Sequence, residues 1–178
     1  MTDDARTPAP SAALPSEPAR HHIAQFNVGT IRFPLDEPEM ADFVAQLEPV
    51  NALADGTPGF VWRLVEEGEG DATRMRPAGA DVVVNYSVWE SMEALWDFVY
   101  RSPHLDTMRR RREWFQRHME SHLVMWWIPA GYIPTVEEAL ERLALLREHG
   151  PSPRAFTFST SYTAAEAEAL RTAPSLGR

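Results

Sequence analysis

HLVMWWI, His122 to Ile128, is the stretch whose reading decides the fold. In an extended chain successive side chains point to opposite sides, so Leu123, Met125 and Trp127 share one face while Val124, Trp126 and Ile128 share the other. Both faces are apolar and each carries a tryptophan. An antiparallel sheet with helices on one side presents only one such face, so this strand predicts a cover on its second side as well. The chain has 178 residues, the size of one domain, and few elements remain for that task. The expectation is therefore a homodimer that buries the open face, with a pocket between sheet and partner or between sheet and helix.

Outward from this strand, His22 to Ile31, Phe60 to Val65 and Val82 to Trp89 read as three more, the last led by three consecutive valines. Between the first two, Asp36 and Glu39 have capping-box spacing, and Met40, Phe43, Val44 and Leu47 form a helical stripe that Pro49 bends or ends. Glu66 to Asp81 is a long polar hairpin connection. Ser91 caps a helix from Met92 to Tyr100. Ser102-Pro103 starts another that runs to about Met119. After PAGYIP, Thr135 and Glu138 form a capping box for a helix with Leu140, Leu143 and Leu146, closed by Gly150. Arg154 to Ser159 is a final short strand. The order contains the split βαβ pattern, which predicts an α+β, ferredoxin-like antiparallel sheet with helices on one face. Residues 1–20, rich in Pro, Ala and Ser, read as a disordered lead-in, 21–159 as the folded domain, and 160–178 as a flexible tail that forms a short exposed helix or frays.

Composition removes several functions. There is no cysteine, so disulfides, thiolate nucleophiles and cysteine-ligated metals are excluded. All 17 basic residues are arginine, which excludes a Schiff-base lysine and a Walker lysine. With 26 acidic residues the net charge is −9, against binding to nucleic acid or anionic membranes. The four arginines from Arg109 to Arg112 point in four directions on a helix and make no groove. No metal-ligand spacing, P-loop, GxSxG or dinucleotide fingerprint occurs. No run reaches the roughly 20 apolar residues of a membrane span, and Met1 to Arg20 lacks a signal-peptide pattern, so a cytoplasmic location is expected.

Chemistry is expected where strand parity gathers polar side chains. Gln25 and Asn27 share a face on the first strand, and Asn85 and Ser87 share one with Trp89 on the third. Amides and a hydroxyl among apolar neighbours hold a carbonyl or phenol oxygen without adding charge. The same residues equally suit hydrogen bonds across a dimer interface or to water. Wound at about 100° per residue, the helix after Ser102-Pro103 places His104, Arg111, Trp114 and His118 on one flank beside a stripe of Leu105, Met108, Phe115 and Met119. That flank suits a pocket mouth, with histidine as base or axial ligand, arginine as carboxylate clamp and tryptophan as wall; a solvated face is the alternative. Trp126, on the sheet, is the interfacial tryptophan of the expected pocket. The helix start at Ser102 disfavours an imidazolium at His104 and keeps the ring neutral.

PGFVWRL (58–64), VVVNYSVWESMEALWDFVYRSPH (82–104), RRRREWF (109–115) and HLVMWWIPAGYIPTVEEALERLALLREHGPSPRAFTF (122–158) resemble the bacterial DUF3291 family. The resemblance covers about 21–158 and implies a dimeric α+β barrel of the group containing antibiotic-biosynthesis monooxygenases, haem-degrading oxygenases and stress-response proteins. It implies binding, and monooxygenase-like oxidation, of a small aromatic or polycyclic phenol, with Asn27, Asn85 and His104 as catalytic candidates. Gln25, Ser87, Trp89, Arg111, Trp114 and Trp126 are the substrate-binding candidates. No resident cofactor or metal is expected. Haem is the one cofactor the resemblance offers, since haem-degrading relatives use an asparagine, a tryptophan and a histidine for which Asn27, Trp89 or Trp96, and His104 are the nearest positions. A non-catalytic, stress-related ligand-binding dimer is the alternative.

Overall fold

The computed structural model describes residues 21–117 and 120–172. Its sheet has four strands, β1 (His21–Thr30), β2 (Phe60–Arg63), β3 (Val82–Trp89) and β4 (Leu123–Pro129), in the order β2-β3-β1-β4. Every neighbouring pair is antiparallel, which is the ferredoxin-like arrangement. A short 3-10 turn (Pro38–Met40) precedes α1 (Ala41–Asp55); α2 (Met92–Arg101) and α3 (His104–Trp114) join β3 to β4. After β4 come α4 (Val136–His149) and α5 (Ala164–Thr172).

Each face of the sheet has its own core. On the first, Ala24, Phe26, Val28, Val84, Tyr86, Val88, Val124, Trp126 and Ile128 meet Ala139, Leu143 and Leu146 of α4. On the second, Ile23, Trp89 and Met125 meet Leu95 and Phe98 of α2 and Val50, Leu53 and Ala54 of α1. Farther along that face, Ile31 and Val83 meet Met40 and Trp114. Two features expected from the sequence are thereby corrected. The helices cover both faces, because the chain after β4 returns across the first face as α4. The sheet is also open rather than closed into a barrel: β2 and β4 are its two edges and do not pair with each other. With α4 seated on the first face, Val124, Trp126 and Ile128 are buried within one chain, while on the second face Met125 is buried and Leu123 and Trp127 are half-buried.

Local signals explain most boundaries. Ser91 Oγ accepts from Ala94 N–H at 3.1 Å, and Thr135 Oγ1 accepts from Glu138 N–H at 3.2 Å, each satisfying an orphan donor of a first helical turn. Gly150, with φ of 75°, ends α4. Asp36 and Glu39, in contrast, form no capping box, since Glu37 begins the 3-10 turn without a side-chain cap. Pro49 lies inside α1 without ending it. Phe115 leaves the helical conformation to bridge Ile31, and Gln116 N–H donates to Thr30 C=O at 2.9 Å, so α3 stops at Trp114 rather than near Met119. Residues 118 and 119, like the proposed disordered lead-in 1–20, lie outside the described residues.

The expected last strand meets the sheet through one isolated bridge, in which Met125 and Phe156 exchange backbone hydrogen bonds of 2.8 and 2.9 Å along the outer edge of β4. Tyr162 C=O then accepts from Trp127 Nε1 at 2.6 Å, and Thr163 and Glu166 cap α5 reciprocally. The crossing of β1 and the end of α3 is tight: a Cβ on Gly29 would lie 2.7 Å from Cδ1 of Phe115. Gly29→Ala is expected to cost about 1–3 kcal/mol through the forced shift of that ring, read as a lower denaturation midpoint at unchanged m-value.

Candidate functional site

Between the two apolar clusters of the second face runs a polar strip. Gln25 stands opposite Ser87, and Asn27 opposite Asn85, in the β1–β3 register. Trp89 Nε1–H donates to Ser87 Oγ at 2.9 Å, Ser87 donates to Gln25 Oε1 at 3.0 Å, and Gln25 Nε2 donates to Asn27 Oδ1 at 3.1 Å. The chain of bonds runs from a fully buried indole to a partly exposed amide, with Gln25 and Ser87 each 7 % exposed. Such a chain fixes every donor and acceptor direction along it, because each buried group has one partner to face. Asn85 differs. It is exposed in the middle of a central strand, and among the described residues its amide has no hydrogen-bond partner.

Strand β2 completes one side. Its bulge between Phe60 and Trp62 puts Phe60 against Trp89 (5.3 Å between ring centroids) and Trp62 against Tyr86 on the other face (5.2 Å). Arg63 consequently stands opposite Ser87, anchored by Asp55 at 2.8 and 3.2 Å and by Gly70 C=O at 2.9 Å. Sequence reading missed Arg63, because plain alternation from Phe60 hides a one-residue flip. Phe98 was missed too, although its place one turn after Leu95 on α2 is an ordinary core signal.

The remaining candidates do not join the strip. His104 stacks on Phe98 at 4.9 Å and 10°, and Phe98 stacks on Trp89 at 5.0 Å, so the imidazole reaches the strip only through two rings. Burial lowers its pKa, keeping the ring neutral, and its Nδ1 is buried without a hydrogen bond. Arg111 is exposed, with Nη1 3.3 Å from Nε2 of His122. Trp114 is 2 % exposed in the Met40–Val83 core, with the Arg110 guanidinium 4.9 Å from its ring, so it packs the interior. Trp126 lies on the opposite face under α4. Trp96 is exposed and packs with Tyr100 and Phe158.

The arrangement can hold a neutral oxygen through amide donors beside an aromatic wall. It does not fit haem at His104. The ring lies flat on Phe98, and hollows of about 310 and 190 Å³ are lined by other residues. Among the described residues no cluster of three or more His, Asp or Glu side chains is placed to hold a metal ion, and no helix is long and apolar enough to cross a membrane.

Comparison with solved structures gives partial likenesses. SnoaB, a cofactor-independent oxygenase from Streptomyces nogalater, is 17% identical over 65% of this chain and 96% of its own, with a TM-score of 0.40. NE2512, a protein of unknown function from Nitrosomonas europaea, is 13% identical over 66% of this chain and 99% of its own, with a TM-score of 0.41. The monooxygenase from the gene ActVA-Orf6 of Streptomyces coelicolor, in complex with Nanaomycin D, is 16% identical over 66% and 94%, with a TM-score of 0.35. Likenesses this partial fix no chemistry for the present chain. No curated protein matches it. A family model described as a domain of unknown function, DUF3291, matches residues 22–172, and the chain belongs to that family.

Proposed function

We propose that the protein binds a small planar aromatic molecule bearing a phenol or quinone oxygen, held against the strip of Gln25, Asn27, Asn85 and Ser87. The observation that carries this reading is the Asn85 amide, unpartnered and open to solvent beside amides already oriented by their own hydrogen bonds. An amide offers both a donor and an acceptor, and therefore suits phenol and quinone oxygens without the cost of burying a charge. When the ligand is an electron-rich phenol with a reactive ring CH₂, the reaction class is cofactor-free monooxygenation. One atom of O₂ replaces the two hydrogens at that carbon, and the other leaves with them as water.

A second reading is favoured by the position of His104: among the described residues no acid or base hydrogen-bonds to the strip, which fits a binding protein that leaves its ligand unchanged. Titration of tryptophan fluorescence with a hydroxynaphthoquinone tests the shared part of both. Saturable quenching is expected, and Asn85→Leu is expected to weaken binding about tenfold with stability changed by less than about 1 kcal/mol, since the amide is exposed. Equal binding to both proteins would sink the site. Oxygen uptake with an anthrone separates the two readings, with gain of a carbonyl in the product favouring turnover.

A further inference from the structure

The opposite face of the sheet holds a hollow of about 310 Å³ that the amide strip does not touch, lined by Val28, Thr30, Val82, Ala78 and a stripe of α4. That stripe is Leu140, Leu143, Ala144 and Arg147, spaced i, i+3, i+4 and i+7, so the four side chains share one side of the helix over two turns. The hollow exists because two alanines, Ala78 and Ala144, stand where larger residues would close the gap between α4 and the ends of β1 and β3. Six of its eight lining residues are apolar, Thr30 adds a hydroxyl, and one cation, Arg147, borders it.

Arg147 is held from one side only. Its Nε donates to Ser121 C=O at 2.8 Å and lies 3.5 Å from a carboxylate oxygen of Glu120. Neither terminal nitrogen of the guanidinium has a hydrogen-bond partner among the described residues. A guanidinium fixed through Nε keeps its Nη1–Nη2 edge for a second group, and a carboxylate matches that edge. Glu120 is 72 % exposed, so water screens its repulsion of a second anion.

We propose that this hollow binds a small monocarboxylate with an aliphatic body, the acid on Arg147 and the hydrocarbon between α4 and the sheet. At about 30 Å³ per non-hydrogen atom the hollow accommodates about ten of them, the size of octanoate. This site is independent of the amide strip, which lies on the other face.

Titration calorimetry of the full chain with octanoate and with 1-octanol tests it. Octanoate is expected to bind saturably with Kd of about 1 mM or tighter, and about tenfold tighter than the alcohol. Arg147→Gln, at the surface, should abolish the preference for the acid. Ala144→Leu, a good helix former that fills the hollow, should weaken octanoate about tenfold or more while melting as the parent does. Asn85→Leu should leave octanoate binding unchanged. Absence of saturable binding, equal affinity for acid and alcohol, a preference that survives Arg147→Gln, or full binding by Ala144→Leu would each overturn the assignment.

Discussion

Trp126→Ala is expected to lower the unfolding free energy by about 3–5 kcal/mol, a large part of the 5–15 kcal/mol typical of a domain. The side chain is 1 % exposed, packs beside Tyr86 at 5.9 Å, and lies under α4 with the Arg142 guanidinium 5.9 Å from its ring. Its Nε1 makes no hydrogen bond, so the loss is of packing and of the Arg142 contact, not of a hydrogen bond. Trp126→Phe therefore isolates the cause: it removes the unsatisfied N–H along with part of the ring, and should cost less than about 1.5 kcal/mol. For a chain of this length the alanine variant should melt about 6–20 °C lower. That shift should not depend on protein concentration, because the cover over Trp126 belongs to the same chain. A loss below 1 kcal/mol, or one that vanishes at high concentration, would mean that α4 does not seal this face.

The contrast with a partner-covered face shows what the sequence holds and what it does not. Both faces of LVMWWI are visibly apolar, and the leucine stripe of α4 is equally visible, yet nothing local says which side of a sheet a helix will cross. That choice is made by the path of 130–135 after β4 and by the fit of Ala139, Leu143 and Leu146 against Val124, Trp126 and Ile128. Serine and threonine caps were legible because their physics spans one turn. The end of α3 was not, because a long-range bridge from Phe115 to Ile31 overrides a helical stripe.

The same division runs through the candidate site. Gln25, Asn27, Asn85 and Ser87 come together because parity along two regular strands survives pairing in register. The helical flank dissolves because winding gives relative angles and not the direction in which the helix packs: Trp114 turns inward to Phe43 and Met40 while Arg111 stays at the surface. Arg63 was hidden by a bulge that only pairing reveals.

Ser87→Ala should have an effect of comparable size, for a different reason. The hydroxyl is both acceptor and donor, so its removal strands the buried Trp89 Nε1–H and Gln25 Oε1 together. At about 1–3 kcal/mol for each of the two unsatisfied groups, the expected cost is about 2–6 kcal/mol, although only one non-hydrogen atom is lost. Gln25→Leu breaks the same chain at its next link. The double variant Ser87→Ala with Gln25→Leu should accordingly be less destabilised than the sum of the singles, since the carbonyl stranded by the first change is removed by the second; additivity within about 0.5 kcal/mol would show that the chain does not act as a unit. Ligand binding separates structure from recognition. Ser87→Ala frees Gln25 and, through it, the Asn27 amide, so quinone affinity should fall together with stability, whereas Asn85→Leu should lower affinity alone. If Ser87→Ala melts far below the parent yet binds the quinone equally well at a temperature where both are folded, the hydrogen-bonded chain serves the core, and recognition lies elsewhere than on Asn27.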